Sequence, residues 1–271
     1  MQLKLNLLEN SLDFLQLSLK DYLIANEDEC HNEYRPESFK KLNWKTAFVN
    51  LTQATELLMK YAIYQISPIL LKPDIDKRNL EDKTITFMQC IQRMDNFTSV
   101  KLSVDEMDTL KNSSKIRNEF IHYKVDKSTE ELKIKYSMLF SIYKRIFENT
   151  TNKKLEVNGI NNSLFIEISS FADNFTFFRG FEIPKNELDT FKTSLKASQE
   201  YSNFIDKNGN TCKRIRCGTE SRDETIIYDW DYCDDCGAAQ GEFHSEFCDL
   251  EECPFCHSQA LSCDCEVRWS K

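Results

Sequence analysis

The sequence predicts a mainly α-helical fold, in which an antiparallel helical bundle is followed by a small α+β segment and a cysteine-rich tail. Three observations lead to this prediction. Glycine and proline are scarce, with 6 and 5 copies in 271 residues, and apolar residues recur at helical spacing over residues 1–150. Over residues 151–230 short apolar runs alternate with turn-forming residues. Residues 231–271 then hold seven of the 11 cysteines.

The first two helices are indicated by their apolar stripes. Leucines repeat every three or four residues from Leu3 to Ala25, which is typical of an amphipathic helix. A longer stripe runs from Ser38 to Ile66 and predicts the second helix. Within it Glu56 and Lys60 lie four positions apart, a spacing that favours an ion pair on the helix surface.

Three further helices complete the predicted bundle. The third covers Asp82 to Met94. Ser103 with Glu106 has the spacing of a capping box, in which the serine caps a helix start and the glutamate bonds back to it. Ser128 with Glu131 forms a second box, which opens a helix that ends near residue 149. Five helices joined by short connections predict an antiparallel bundle over residues 1–150.

The sequence pattern of residues 151–230 predicts a small α+β structure. Residues 184–201 have the pattern of one helix. Short runs of β-branched and aromatic residues, separated by Asn and Gly, predict strands. These strands are expected at residues 155–157, 163–168, 175–183, 213–216 and 225–230. No catalytic or ligand-binding motif is identified in this segment.

Charge is distributed unevenly along the chain. The formal net charge is −9, yet residues 220–271 alone hold 14 acidic and 3 basic residues. The rest of the chain is close to neutral, so the acidic total does not exclude a nucleic-acid partner for the bundle. Several basic residues cluster around the fourth helix, namely Lys101, Lys111, Lys115, Arg117 and Lys124.

The end of the fourth helix combines residues with catalytic potential. Asn118 and His122 are four positions apart and therefore share a helix face, and the long side chain of Arg117 can reach toward them. An imidazole can take a proton from a hydroxyl near neutral pH, and a guanidinium can bind phosphate oxygens through parallel hydrogen bonds. The trio therefore fits attack on a phosphodiester. The alternative is a surface arginine beside a hydrogen-bonded histidine.

Two sequence features together resemble the HEPN superfamily. They are Thr55-Glu56-Leu57-Leu58-Met59-Lys60 on the second helix, and Arg117-Asn118 followed by His122 near the end of the fourth. The family signature is an arginine, often followed by Asn or Asp, with four residues between it and a histidine. The resemblance covers residues 1–150.

The resemblance implies a HEPN-like bundle with metal-independent endoribonuclease activity and a site shared across a homodimer. Arg117 and His122 would be catalytic, Asn118 would assist them, and Glu56 would be a further candidate on the neighbouring helix. The activity would suit a toxin or a phage-defence effector. An antitoxin or another regulatory protein would then be an expected partner.

The tail has the spacing of metal ligands. Because no export signal precedes the chain's first helix, the cysteines are expected to be reduced, and clustered thiols then favour metal over disulfides. Zinc takes four thiolate or imidazole ligands, so eight candidates predict two structural zinc ions. The eight are Cys233, Cys236, His244, Cys248, Cys253, Cys256, Cys263 and Cys265.

Two arrangements of these eight ligands are compatible with the spacing. Consecutive sites give compact loops and are preferred. In the interleaved alternative, Cys233 and Cys236 share an ion with Cys253 and Cys256. Four ligands close each site, which is typical of structural rather than catalytic zinc. The tail resembles treble-clef and ribbon-type zinc modules, while His257 and the more isolated Cys212 and Cys217 are expected to lie outside the ligand sets.

Two functional hypotheses follow from these features. The first is a cytoplasmic endoribonuclease that cleaves RNA by 2′-hydroxyl transesterification. The alternative is an inactive bundle that serves as a binding module, with its zinc tail docking a protein or nucleic acid. The sequence shows neither a signal peptide nor an apolar run long enough for a membrane span, so no membrane partner is expected.

Overall fold

The computed structural model describes residues 6–26, 37–74, 84–122, 127–221 and 232–271. The chain divides into two compact units, Met1–Phe175 and Thr176–Lys271. The sequence analysis instead set the first boundary at residue 150. Some of the positions named above lie outside the described residues, namely Leu3, Asp82, Lys124 and the strand predicted at 225–230.

The first unit is helical, and the prediction of a mainly helical protein is confirmed. A short 3₁₀ helix, Pro68–Leu71, follows the second of the six α-helices found in the described residues of this unit. The six are α1 Leu7–Asn26, α2 Glu37–Ile66, α3 Phe87–Phe97, α4 Val104–His122, α5 Thr129–Thr151 and α6 Asn162–Ala172. Helix α2 packs against α1, α3, α4 and α5, so it lies at the centre of the unit.

Buried serines join α1 to its two neighbours. Ser11 donates to the carbonyl of Ala54 at 2.8 Å and lies 2.9 Å from the Tyr143 hydroxyl. Seven residues later, Ser18 bonds in the same way to Ala47 and to the hydroxyl of Tyr136. The later serine of α1 bonds to earlier residues of α2 and α5. Helix α1 therefore runs antiparallel to both helices. Leu15 and Leu19 fill the fully buried space between them.

Local signals account for the helix starts. At α4 both halves of the predicted capping box form, because Glu106 N–H donates to the Ser103 hydroxyl and Ser103 N–H donates to the Glu106 carboxylate. At α5 the Ser128 hydroxyl accepts from Glu131 N–H, while the Glu131 carboxylate contacts Lys127 at 3.0 Å.

The strand predicted at residues 163–168 is wrong, because these residues belong to α6. Asn161 caps the helix by accepting from Ser163 N–H at 3.0 Å. The helix buries Leu164, Phe165 and Ile168 against α5, and the Phe165 ring lies 5.5 Å from that of Phe140. Residues 155–157, also predicted as a strand, lie outside regular structure.

In the described residues 176–221 and 232–271, the second unit combines one helix with two small sheets. Strands β1 Phe175–Phe178 and β2 Phe181–Pro184 pair with each other, and α7 Leu188–Ser198 follows. Strand β3 Asn203–Ile205 pairs antiparallel with both β4 Thr211–Lys213 and β5 Arg268–Ser270. The strand expected at 213–216 therefore begins and ends earlier, and the helix expected at 184–201 is shorter.

The apolar cores of the second unit are small and contain cysteines. One core groups Leu195 and Ala238 with four buried cysteines, Cys217, Cys233, Cys236 and Cys248. The other groups Phe204 and Ala260 around Cys253. Cores of this size bury little apolar surface, so cross-links or metal ions are usually needed to stabilise such folds.

None of the helices in the described part of the chain is both long enough and apolar enough to cross a membrane.

Candidate functional site

The structure brings the eight candidate ligands into two consecutive groups. Each group's ligand atoms all lie within 4.8 Å of one another. The first group is Cys233, Cys236, His244 and Cys248, and the second is Cys253, Cys256, Cys263 and Cys265. This grouping agrees with the consecutive arrangement rather than the interleaved one.

The first group has the dimensions of a tetrahedral zinc site. Zn–S and Zn–N distances of about 2.3 and 2.05 Å imply S···S separations of about 3.8 Å and S···N separations of about 3.5 Å. The Sγ atoms of Cys233 and Cys248 are 3.7 Å apart. Nδ1 of His244 lies 3.5 Å from Cys236 Sγ and 3.2 Å from Cys248 Sγ. All four ligands are buried, so the site is closed to water.

The second ring nitrogen of His244 has its own partner. Nε2 lies 2.6 Å from a carboxylate oxygen of Glu220, whose side chain is only 6% exposed. Donation from Nε2–H to Glu220 leaves the lone pair on Nδ1, which faces the thiols. A carboxylate behind a metal-binding histidine selects the ligating tautomer and holds the ring in place. Glu220 is thus a supporting residue that the sequence analysis did not identify.

The electrostatics of the first group favour a cation. Burial by itself would lower the pKa of His244, but hydrogen bonds with Cys233, Cys236 and Glu220 outweigh it and raise the pKa to about 11, so a metal ion that binds Nδ1 has to displace a proton there. Hydrogen bonds from neighbouring thiols, Cys217 first, lower the pKa of Cys233. One thiolate is therefore already favoured, and a bound dication would stabilise the remaining ones.

The two groups share one backbone design, offset by twenty residues. Cys233 N–H donates to the carbonyl of Ala238 at 2.7 Å, and Cys253 N–H donates to that of Ser258 at 2.8 Å. The residue after the second cysteine of each pair is left-handed, Gly237 with φ 71° and His257 with φ 59°. Each turn presents two sulfurs from one tight loop, which is how zinc knuckles are built.

The second group is more open than the first. Cys253 is fully buried, and burial raises its pKa to about 12. Cys256 is exposed, and a hydrogen bond from the backbone of Ser258 lowers its pKa to about 7. Cys263 and Cys265 are half-buried. Four thiols within reach of one another suit a structural zinc ion.

Cys217 lies beside the first group. Its thiol donates to the carbonyl oxygen of Ala238, with an S···O distance of 3.5 Å. A hydrogen bond with Cys233, together with burial, raises the pKa of Cys217. Because this thiol already donates to a backbone carbonyl and lies outside both four-ligand groups, the structure favours Cys217 as a neighbour of the site. Cys212 lies in β4, outside both groups.

Ser221, Glu252 and His257 form a cluster that superficially matches a catalytic triad. The Ser221 hydroxyl lies 2.5 Å from Glu252 and 3.2 Å from Nδ1 of His257. Nδ1 also lies 2.5 Å from Glu252. A triad needs the nucleophile and the acid on different ring nitrogens, but here both contact Nδ1. The cluster is therefore a hydrogen-bond network around a buried carboxylate.

The first unit holds the other candidate site, built where α4 crosses α2. Nη1 of Arg117 lies 3.0 Å from one carboxylate oxygen of Glu56. The other oxygen of Glu56 lies 2.7 Å from Nζ of Lys60, which also donates to the Thr84 hydroxyl. Glu56 and Lys60 have side chains only 12% and 10% exposed. The Glu56–Lys60 pair expected on the helix surface is therefore largely buried, and Glu56 also bridges to α4 through Arg117.

The remaining predicted catalytic residues lie on the exposed side of α4. Asn118 and His122 are both exposed, and Oδ1 of Asn118 lies 3.4 Å from Arg117 Nη2. Helix geometry sets Arg117 and His122 about 7.5 Å apart along the axis and about 140° apart around it. A single copy of α4 therefore presents the arginine and the histidine in different directions.

Arg117 retains one donor without a partner. Its Nε is buried and makes no hydrogen bond among the described residues. A buried donor without an acceptor costs about 1–3 kcal/mol, so such a group often marks a functional position. Glu56 neutralises part of the guanidinium charge while leaving donors for an anionic ligand.

Sequence reasoning missed the charged residues that support these sites. Glu252, Arg214 and Glu251 are buried and the side chain of Glu220 is 6% exposed, although charged residues are seldom buried. Nothing in their local spacing indicates burial. The one available signal was the repeat of the Cys-x-x-Cys turn after twenty residues, which indicates two modules of similar design.

Comparison of the chain with family models, with curated proteins and with solved structures finds no match. Its function therefore has to be argued from the geometry of these residues.

Proposed function

We propose that the protein is a metal-independent endoribonuclease of the HEPN type, acting as a toxin or phage-defence effector. The observation that supports this most directly is the Glu56 bridge, which holds Arg117 through an ion pair of 3.0 Å on the helix that also carries Asn118 and His122. These four residues are the ones that the family resemblance selects.

The proposed reaction is transesterification at a ribose. His122 takes the proton from the 2′-hydroxyl, and the 2′-oxygen attacks the adjacent phosphorus. The 5′-oxygen leaves and takes up a proton, so the products are a 2′,3′-cyclic phosphate and a 5′-hydroxyl. Arg117 stabilises the negative charge that develops on the phosphate oxygens, and Asn118 orients the phosphate or the imidazole.

The angular offset between Arg117 and His122 supports a shared site. Because the two residues point in different directions from one helix, a single copy forms an incomplete cleft. A two-fold axis near the exposed end of α4 would bring the Arg117 of one copy toward the His122 of the other. We therefore expect a homodimer formed through the helical unit, observable by sedimentation at micromolar concentration.

The activity is tested with a single-stranded RNA that carries a fluorophore and a quencher, because in-line attack needs a flexible backbone. His122→Ala and Arg117→Ala should each abolish cleavage, and Asn118→Ala should slow it about tenfold to a hundredfold. Glu130→Ala is the control, because this exposed residue belongs to the same unit and lies outside the proposed site. Equal cleavage by wild type and His122→Ala would refute the assignment, as would preferential cleavage of DNA.

We also propose that the two cysteine-rich groups bind one structural zinc ion each. When bound, zinc supplies fixed cross-links between chain segments that share little apolar core. Cys233, Cys236, His244 and Cys248 would hold one ion, and the four later cysteines the other. Elemental analysis of the purified protein should return two zinc ions per chain, and less than about one would contradict the proposal.

A second candidate function is protein docking by the cysteine-rich tail. Residues 232–271 hold nine acidic and two basic residues, and the tail exposes Phe247 by 75% and Leu261 by 51%. Both residues line a groove of about 590 Å³ beside Trp269. An exposed apolar surface within an acidic region favours a protein partner over RNA. Absence of RNA cleavage by the dimeric, zinc-loaded protein would favour this function.

A further inference from the structure

Two consecutive residues, Glu220 and Ser221, hydrogen bond to residues in or next to different groups of candidate metal ligands. The Glu220 carboxylate lies 2.6 Å from Nε2 of His244, a ligand of the first centre. Ser221 donates its N–H and its hydroxyl to the carboxylate of Glu252, at 2.6 and 2.5 Å. Glu252 directly precedes Cys253, a ligand of the second centre. One peptide unit therefore spans the distance between the two sets of ligands.

The Glu252 carboxylate contacts both sides of the second knuckle, the turn formed by Cys253 to Cys256. It is fully buried, and it contacts Nδ1 of His257, the residue that follows the ligand Cys256. Glu252 also forms a backbone bridge with Gln259 across the turn. With donors from Ser221 and His257 around it, this carboxylate has few alternative positions. Moving Ser221 would remove two of its hydrogen bonds and leave a buried charge undersatisfied.

We propose that Glu220 and Ser221 are positioning residues that connect the two centres, so that filling either centre raises the metal affinity of the other. This proposal rests on the proposed binding of two metal ions and is independent of the ribonuclease activity. Metal at the first centre fixes His244, which fixes Glu220 and with it Ser221. Ser221 then holds Glu252 where the second knuckle needs it, and the same contacts act in reverse.

The two centres are coupled because binding at either one orders a segment that both of them use. In the metal-free tail, residues 218–221 and both knuckles must lose conformational freedom before a complete site exists. The first ion to bind orders the segment that both centres use, so the second ion binds with less entropy left to lose. Outer-shell partners of metal ligands typically contribute tenfold to a hundredfold in affinity, which sets the scale of the expected coupling.

The experiment is a Co²⁺ titration of the full-length protein against a competing chelator. Cobalt is followed by its absorption spectrum, because a centre with three thiolates and one imidazole differs from one with four thiolates. The affinity of the first centre is measured in the intact protein and in Cys253→Ser/Cys256→Ser, where the second centre is disabled. We expect the first centre to bind about tenfold more weakly in the disabled variant.

Glu252→Gln tests the connection itself. The amide cannot accept from both Ser221 donors, so disabling the second centre in this background should change first-centre affinity by less than about twofold. Glu246→Gln is the matched control, an exposed carboxylate in the same loop as His244, and should keep the tenfold difference. If Glu252→Gln fails to fold, Ser221→Ala replaces it and should reduce the difference to about threefold.

Glu220 is tested by rescue. Glu220→Ala should weaken Co²⁺ binding at the first centre about tenfold to a hundredfold, and Glu220→Gln, which keeps an acceptor for Nε2–H, should recover part of the loss.

Each outcome of the titration is decisive. Failure to bind any Co²⁺ would refute the metal sites themselves. Two bound ions without a change in first-centre affinity would refute only the connection. A tenfold difference that persists in Glu252→Gln would also refute it, because the coupling would then run through other contacts.

Discussion

Glu56 holds two cations with one carboxylate, and both cations are largely buried. Arg117 and Lys60 each contact a different oxygen, at 3.0 and 2.7 Å. Buried ion pairs contribute little net stability when intact, but removal of one partner leaves an uncompensated charge. At the scale of single residues, Glu56 therefore fixes the position of Arg117 rather than acting in proton transfer.

Replacement of Glu56 should destabilise the helical unit. We expect Glu56→Ala to lower the free energy of unfolding by about 3 kcal/mol, because two cations lose their shared partner. The measurement is urea unfolding followed by circular dichroism. Glu130→Ala, at an exposed position in the first turn of α5, should change the value by less than about 0.5 kcal/mol. Equal effects of the two substitutions would contradict the structural role of Glu56.

At the scale of elements, hydroxyl pairs connect α1 with α5. Tyr136 and Tyr143 are fully buried, and each phenol is hydrogen bonded to a serine of α1. Burial raises the pKa of both tyrosines, and it raises that of the neighbouring Tyr22 to about 12. These contacts keep the helices in register, because a shift of one residue would separate all the serine–tyrosine pairs at once.

The raised tyrosine pKa values predict alkaline unfolding of the helical unit. Unfolded tyrosines ionise near pH 10, while the folded ones stay protonated, so the folded state binds more protons above that pH. The stability that the neutral phenols contribute is complete below about pH 10 and falls as the pH rises toward 12. The part of the tyrosinate absorbance near 295 nm that comes from the buried tyrosines should therefore rise together with the loss of helical circular dichroism.

Tyr143→Phe provides the control for this transition. It removes one buried ionisable group, so the alkaline midpoint should move upward, while one lost hydrogen bond should cost about 1 kcal/mol at neutral pH. Ser11 keeps its bond to the Ala54 carbonyl in this variant. Tyrosine ionisation well below the loss of helix would show that the phenols are accessible in the folded protein.

At the scale of the whole molecule, the two units are stabilised in different ways. The helical unit has one large apolar core that extends from α1 to α6. The second unit has two small cores built largely around cysteines. Metal binding and folding are expected to be coupled only in the second unit, since ligands need a folded site and the small cores need the metal.

Removal of metal should therefore unfold the tail selectively. Excess EDTA should abolish the partial burial of Trp269 and the amide protection of residues 232–271, while the helical circular dichroism changes little. Hydrogen exchange followed by mass spectrometry makes this comparison within one sample, with α5 as the internal reference. RNA cleavage should persist in EDTA if it needs no metal. Loss of protection in α5 on the same timescale would show that the helical unit also depends on metal.

Helical periodicity and short-range spacing were sufficient to predict much of this protein. Apolar stripes predicted α1 to α5, and the capping box at Ser103 predicted the start of α4. A Cys-x-x-Cys turn is a local structure, so its ligands could be named from spacing. The same reasoning failed at residues 163–168, where a run rich in isoleucine and phenylalanine suits a strand as well as a helix. Packing against α5 decided in favour of the helix.

Long-range contacts between charged groups were beyond prediction from spacing. Glu56 and Arg117 are 61 positions apart, and Glu220 and His244 are 24 apart, yet each pair is in direct contact. Local propensity depends on neighbours within a few residues, whereas burial of a carboxylate depends on which distant donor the fold brings to it. Local sequence patterns thus identified most of the helices and the candidate metal ligands, and only tertiary packing determined which partners position them.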